Sequence, residues 1–141
     1  MRPAGSGTGN APATATSDAV VALDLATGAI LGTRRVTAND VYVNGCRAGN
    51  PNCPDAVGPD FDFGSPPVLA RAGNRDVIVI GQKSGIAFGM DPEKKGEILW
   101  QYRAGQGSTL GGIEWGAAVD GERAYFAVSD ILTPQPGGLH A

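Results

Sequence analysis

Residues 58–69, GPDFDFGSPPVL, set two carboxylates, Asp60 and Asp62, in alternation with two phenylalanines, Phe61 and Phe63. On an extended backbone residues two apart point to the same side, so both acids would share one face and both rings the other. Two acids on one face suit a cation, or a carboxylate held ready to take a proton. The same pattern also describes a polar strand edge with its aromatics in the core. Asp60 reads equally as a partner of Asp62 or as an exposed loop acid. Farther on, Lys83 stands in a Gln-Lys-Ser-Gly turn, where a lysine is by default a solvated turn residue. Glu114 and Trp115 follow a glycine-rich stretch, and a tryptophan there is by default a packing residue between sheets.

Composition excludes several uses for these groups. A chain of 141 residues has room for one domain, and 42% hydrophobic with 18% charged residues describes an ordinary soluble protein. With 22 glycines and 10 prolines between β-rich segments, many short strands joined by tight turns fit best. A net charge of -3 without a basic block speaks against a nucleic-acid surface. No apolar run reaches the roughly 18 residues that cross a bilayer, and MRPAGSGTGN has no apolar h-region of a signal peptide. Cys46 and Cys53 are spaced wrongly for a zinc knuckle, a CxxC pair or haem attachment. A disulfide closing the polar loop between them is expected, and with it an oxidising compartment. The alternative is two unpaired thiols.

The elements that must position these residues are short strands. Residues 1–17 read as a flexible arm with one marked pattern, Gly7-Thr8-Gly9-Asn10. Residues 19–25 and 29–36 form a hairpin about Ala26-Thr27-Gly28. Residues 37–66 have no sustained period, and so long a loop inside a domain is expected to be ordered and functional. Strands at 67–72, 76–80, 86–90 and 97–103 then form one antiparallel meander, which cannot bury both faces without a neighbour on each side. A second set is expected at 113–119 and 123–129 around an Asp120-Gly121 turn, with residues 137–141 as the opening of a further strand.

An internal repeat runs through this pattern. ALDLATGAIL, residues 22–31, lies over GMDPEKKGEILW, residues 89–100: Asp24 matches Asp91 and Gly28 matches Gly96, with one residue inserted. Asp24 and Asp91 read as structural turn acids. GGLHA, at 137–141, matches the residues just before Asp24. A repeated strand, Asp-containing turn, Gly and strand points to a stacked or radial architecture, most often a β-propeller, of which this chain would be a part.

The segment Ala-x-Asp-x-x-Thr-Gly at residues 22–28, with a strand ending at Trp100, resembles the tryptophan-docking repeat of the quinoprotein alcohol dehydrogenases. Within them GPDFDFGSPPVL, GQKSGIAFGMDP and LGGIEWG look most like the polyvinyl-alcohol dehydrogenase branch. The resemblance runs from Gly7 over nearly the whole chain, and implies an all-β, partial β-propeller of about two to three blades out of up to eight. It also implies pyrroloquinoline quinone (PQQ) and calcium as cofactors and a periplasmic location. The partners implied are a small or polymeric alcohol and cytochrome c or a similar electron acceptor. Position by position, Asp62 matches the family's catalytic base, which also lies against the metal, and Lys83 matches the lysine at the quinone oxygens. Glu114 and Trp115 match an Asn-Trp pair beside the cofactor, with Glu a departure from Asn. Asn10 matches the segment that supplies an amide ligand to calcium. The family's adjacent-cysteine disulfide, its glutamate metal ligand and any haem-attachment motif are not found in this sequence.

These residue types fit the implied chemistry. Calcium takes oxygen ligands such as Asp62 and Asn10 offer, and a fixed cation such as Lys83 stabilises charge gathering on quinone oxygens. Asp62 would take the hydroxyl proton of an alcohol as hydride leaves its carbon. Expressed by itself, the chain is expected to be inactive and to bind PQQ poorly, because most of the cofactor's surface would be missing. Two rival readings remain: a non-catalytic propeller serving as scaffold or assembly factor, which has no use for Asp62, Lys83 and Glu114-Trp115 near one axis, and a sugar-oxidising quinoprotein.

Overall fold

The computed structural model describes residues 13–42, 46, 50, 53–54, 57–134 and 137–141. Asn10 lies outside them. The described residues form three antiparallel sheets in chain order, none of them closed into a barrel. The first is a hairpin of β1 (Ala19–Leu23) and β2 (Ile30–Arg35). The second is a meander of β3 (Val68–Ala72), β4 (Arg75–Gly81), β5 (Ile86–Asp91) and β6 (Glu97–Arg103). The third joins β7 (Ala118–Val119), β8 (Ala124–Val128) and β9 (Gly138–His140). A single 3-10 turn, Pro92–Lys94, is the only helical element among the described residues.

The middle sheet is buried on both faces, and its sequence says why. In β4 the run Val77-Ile78-Val79-Ile80 is apolar at every position, so each face of the strand presents an apolar row. Val77 and Val79 pack with Ala87, Ile113, Phe126 and Val128, toward the third sheet. Ile78 and Ile80 pack with Phe88, Met90, Phe63, Val20 and Val36, toward the first. The expected neighbours on the two sides are therefore present. Each fully buried aliphatic or aromatic side chain here contributes about 1.5–3 kcal/mol of transfer free energy.

The repeated turn uses the same device in both copies, an Asp side chain accepting from the turn and a glycine closing it, with one more residue in the second. Asp24 Oδ1 accepts from the Thr27 N–H at 2.8 Å and the Thr27 hydroxyl at 2.6 Å, while Gly28 N–H donates to Asp24 O at 2.8 Å. Asp91 Oδ1 likewise accepts from Glu93 N–H at 3.0 Å, and Gly96 N–H donates to Asp91 O at 2.9 Å. Both glycines sit at φ +73, where a side chain would be strained. The strand registers shift in both hairpins, at Ala22/Leu23 and at Gly89/Met90. Trp100 lies over Gly89, where any Cβ would strike the indole, so Trp100 is a packing residue.

One expected strand differs. Residues 113–119 give only Ala118–Val119, because the segment before it serves the core instead. Ile113 is completely buried against Gly81, whose missing Cβ makes the room, and its N–H donates to Gln82 O at 3.1 Å. Ile113→Ala should cost about 2–5 kcal/mol of unfolding free energy, read as a lower urea midpoint at unchanged slope.

The Asp120 turn gives a pH signature. Asp120 accepts from the backbone N–H groups of Glu122 and Arg123, both at 2.7 Å, and from the Tyr125 hydroxyl at 2.6 Å. The Tyr125 bond first, then the two N–H groups, hold its carboxyl down at about 2, against an ordinary 3.8. The unfolded state thus takes up the proton first as pH falls. The stabilisation is full above pH 3.8 and is lost as pH drops toward 2. Asp120→Asn should remove that part of the acid sensitivity, measured as a smaller fall in melting temperature between pH 5 and pH 2.5.

Candidate functional site

Lys83 occupies the tight turn between β4 and β5, and two loops grip it from opposite sides. From the first, Asp62 O accepts the Lys83 backbone N–H at 3.0 Å. From the second, Ser108 N–H donates to Lys83 O at 3.2 Å, and Ala104 and Gly105 N–H donate to Gly85 O at 2.9 and 3.0 Å. Gly112 has φ +79 and lies so close to the Lys83 carbonyl that a side chain would not fit. Beneath the turn, buried Gln82 bonds Thr37 and Ser84, which fixes its direction.

The Lys83 ammonium lies between the two acids of the FDF segment, 2.8 Å from Asp62 Oδ2 and 3.1 Å from Asp60 Oδ2. Lys83 and Asp60 side chains are each 14% exposed, whereas Asp62 is 38% exposed. The two acids thus share one side, but not by extended alternation: Asp60 stands at φ +64 and the segment lies in no strand. Of the rings, Phe63 does enter the core, edge-on to Phe88 at 6.2 Å between centroids. Asp60 is a direct partner of Lys83 rather than an exposed loop acid.

Asp18 joins the group, and no pattern in the sequence marks it. It precedes β1 at φ +45 and forms a side-chain hydrogen bond with Asp62. Burial, the bond to Asp62 and the charges of Asp62, Asp40 and Asp60 push its carboxyl up to about 7. Burial also raises Asp60, against the pull of Lys83. For Asp62 burial opposes ionisation but is outweighed by hydrogen bonds from Asp18 and Lys83 and by the Lys83 charge, so its carboxyl falls below the usual value. Lys83 is held above its ordinary 10.5, its burial outweighed by hydrogen bonds and attraction from Asp62 and Asp60. At neutral pH the group is therefore an ammonium, an ionised Asp62 that faces solvent, and an acid that titrates near neutrality.

Glu114 approaches the FDF segment through its backbone. Gly64, two residues after Asp62, lies against the Glu114 main chain, where a Cβ would come within 2.9 Å of Glu114 O. Trp115 is 68% exposed. The segments of Asp62, Lys83 and Glu114-Trp115 are thus adjacent, each from a different part of the chain.

An ammonium has three N–H donors, and Lys83 uses two on its carboxylates, which leaves one for an oxygen of a bound molecule. The donor set suits an oxygen that gathers negative charge, such as a quinone's. It suits calcium less. Among the described residues no group of three or more His, Cys, Asp or Glu is placed to hold a metal ion, and the Asp62 oxygen nearest Lys83 already has a cation. Asn10, the other implied ligand, lies outside the described residues. Cys46 and Cys53 form a disulfide with their Cα atoms 5.5 Å apart, in the loop that leads to the FDF segment. No helix among the described residues is long and apolar enough to cross a membrane.

A polyvinylalcohol dehydrogenase of a Pseudomonas species is 46% identical to this chain over 129 residues, covering 89% of the chain and 20% of that protein. A polyvinylalcohol dehydrogenase of Sphingopyxis sp. (strain 113P3) is 42% identical over 121 residues, covering 83% of the chain and 18% of that protein. The chain spans about a fifth of the length of these relatives. No family model matches it. No solved structure matches it either.

Proposed function

As this chain belongs with the polyvinylalcohol dehydrogenases over the segment it shares with them, we propose that it supplies the proton-accepting and cation-bearing part of a quinone-dependent alcohol dehydrogenase. The observation that supports this most directly is the Lys83 ammonium bound by Asp60 and Asp62, in a segment whose Gly64 lies against the Glu114 backbone. A scaffold gains nothing from an amine and three acids gathered at one turn. The substrates are secondary alcohols, polyvinyl alcohol among them, and electrons leave to cytochrome c or a similar acceptor. The fold reads as part of a β-propeller, a reading supported by the middle sheet packing on a neighbour at each of its two apolar faces.

Bound PQQ would supply the hydride acceptor of this reaction. The chain's own residues do the rest. Asp62, ionised and open to solvent, takes the hydroxyl proton of the alcohol at its carboxylate as hydride leaves the carbon. Lys83, its charge held in place by Asp60, would have an N–H left to offer an oxygen of the acceptor. Trp115 offers a flat apolar face. Calcium would take most of its ligands from outside the described residues, Asn10 among them. The Cys46–Cys53 disulfide fits an oxidising compartment, the periplasm.

The test is the full-length protein that carries this segment, loaded with PQQ and calcium and supplied with a dye acceptor. Dye reduction on secondary alcohols and on polyvinyl alcohol is expected. A loaded protein that reduces no dye with either would remove the dehydrogenase reading. The chain alone is expected to show no turnover.

A further inference from the structure

We infer that Asp40 and Asp130 are positioning residues, a pair of buried carboxylates that fasten the two loops gripping the Lys83 turn. Asp40 is 2% exposed and Asp130 5% exposed. A carboxylate buried that deeply is costly unless hydrogen bonds replace its water. Each finds two consecutive backbone N–H groups. Asp40 accepts from Asp60 at 3.1 Å and Phe61 at 2.7 Å. Asp130 accepts from Gln106 at 2.7 Å and Gly107 at 3.1 Å. Successive N–H groups turned toward one anion curl the backbone around it.

The curl has a direct effect at the site. Asp60, whose N–H is held by Asp40, is kept at φ +64 with its own carboxylate on Lys83, and Asp62 follows two residues later. Gly58 is pressed against Asp40 so closely that a Cβ would lie 2.6 Å from Oδ1, at φ +73. On the other side, Gly105 lies against the Asp130 carboxylate, and Ser108, one residue past the second clamped N–H, holds the Lys83 carbonyl. Asp40 thus fixes what the Lys83 side chain meets, and Asp130 fixes what its backbone meets. Neither touches the ammonium.

The importance of this for turnover rests on the proposed function, but its test does not. Mild reductive methylation of the folded full chain, read by mass spectrometry, compares Lys83 with Lys94 and Lys95, which are exposed on the 3-10 turn. Wild-type Lys83 should react more slowly than both. Asp40→Ala should raise the Lys83 rate relative to Lys94 and Lys95 by about tenfold, since two charge-assisted bonds to the loop are lost. Asp40→Asn keeps one acceptor and should give about threefold. Asp130→Ala should also give about threefold, because Asp60 and Asp62 still hold the amine. Val77→Ala, a core cavity that removes no hydrogen bond to either loop, controls for lost stability and should leave the ratio unchanged. If Asp40→Ala unfolds the chain, Asp40→Asn decides. A ratio for Asp40→Asn equal to that of Val77→Ala overturns the inference. Loss of the dehydrogenase reading alone would leave the labelling shift in place.

Discussion

Asp62→Asn in the loaded full-length protein should lower kcat by about 10²–10⁴, the usual contribution of a positioned general base, with KM changed much less. Asparagine keeps the shape and one acceptor oxygen for Lys83, so the fold should survive, and only the ability to receive a proton is removed. The comparison is dye-linked alcohol oxidation by both proteins at saturating substrate. The site also predicts a change in Asp18. Its carboxyl is held up near 7 partly by the hydrogen bond and charge of Asp62, so the variant should show Asp18 titrating lower. Activity within about threefold of wild type would remove Asp62 as the base.

Lys83→Met should act on both stability and turnover. The substitution keeps much of the side-chain bulk but leaves Asp60 and Asp62 facing each other with no cation between them. Breaking a fully buried pair costs about 3–5 kcal/mol, and the exposure of Asp62 reduces the expected loss here to about 2 kcal/mol. The loss should be largest at neutral pH and should shrink as pH falls and the acids take up protons. In the wild type Lys83 is raised above 10.5, so its own titration takes stability away only as pH rises beyond that value, while the loss at low pH comes from its acid partners. Turnover should fall by about 10²–10³, the usual effect of removing one preorganised donor from a developing charge. Urea midpoints at pH 4.5 and 7.5, together with kcat, separate the two effects. An unchanged midpoint at pH 7.5 would show that the ion pairs do not hold this loop.

The strands were legible where the pattern was local. The meander of β3 to β6 follows from alternating apolar runs cut by Gly73-Asn74 and by Gln82 to Gly85, and its boundaries agree with the expected ones to within two residues. The turn acids Asp24 and Asp91 were legible because an Asp-capped turn closed by a glycine at positive φ is a short-range device. Residues 113–117 were not, since a β-rich run reads as a strand whether or not a partner is available, and here Ile113 is drawn into the hole at Gly81. The same limit applies at the site. The sequence puts Asp60, Asp62 and Lys83 forward as chemical groups, but their union depends on Asp40, twenty residues before Asp60, and on a backbone angle that no alternation rule gives. Asp18 had no signal at all. An acid just ahead of a strand becomes unusual only when three other acids are folded against it.

The Lys83 turn takes its partners from both sides in the chain: Asp62 comes 21 residues earlier, and the segment around Ile113 about thirty residues later. On the ribosome, where N-terminal parts emerge and settle first, the acids would meet the amine as soon as the meander pairs. The far wall would wait for another stretch of polypeptide to clear the exit tunnel. The nascent chain therefore passes through a stage with its ion pairs made and one side of the turn still open to water. A ribosome stalled with residue 103 clear of the exit tunnel and residue 113 still inside it would hold the protein in that half-built form.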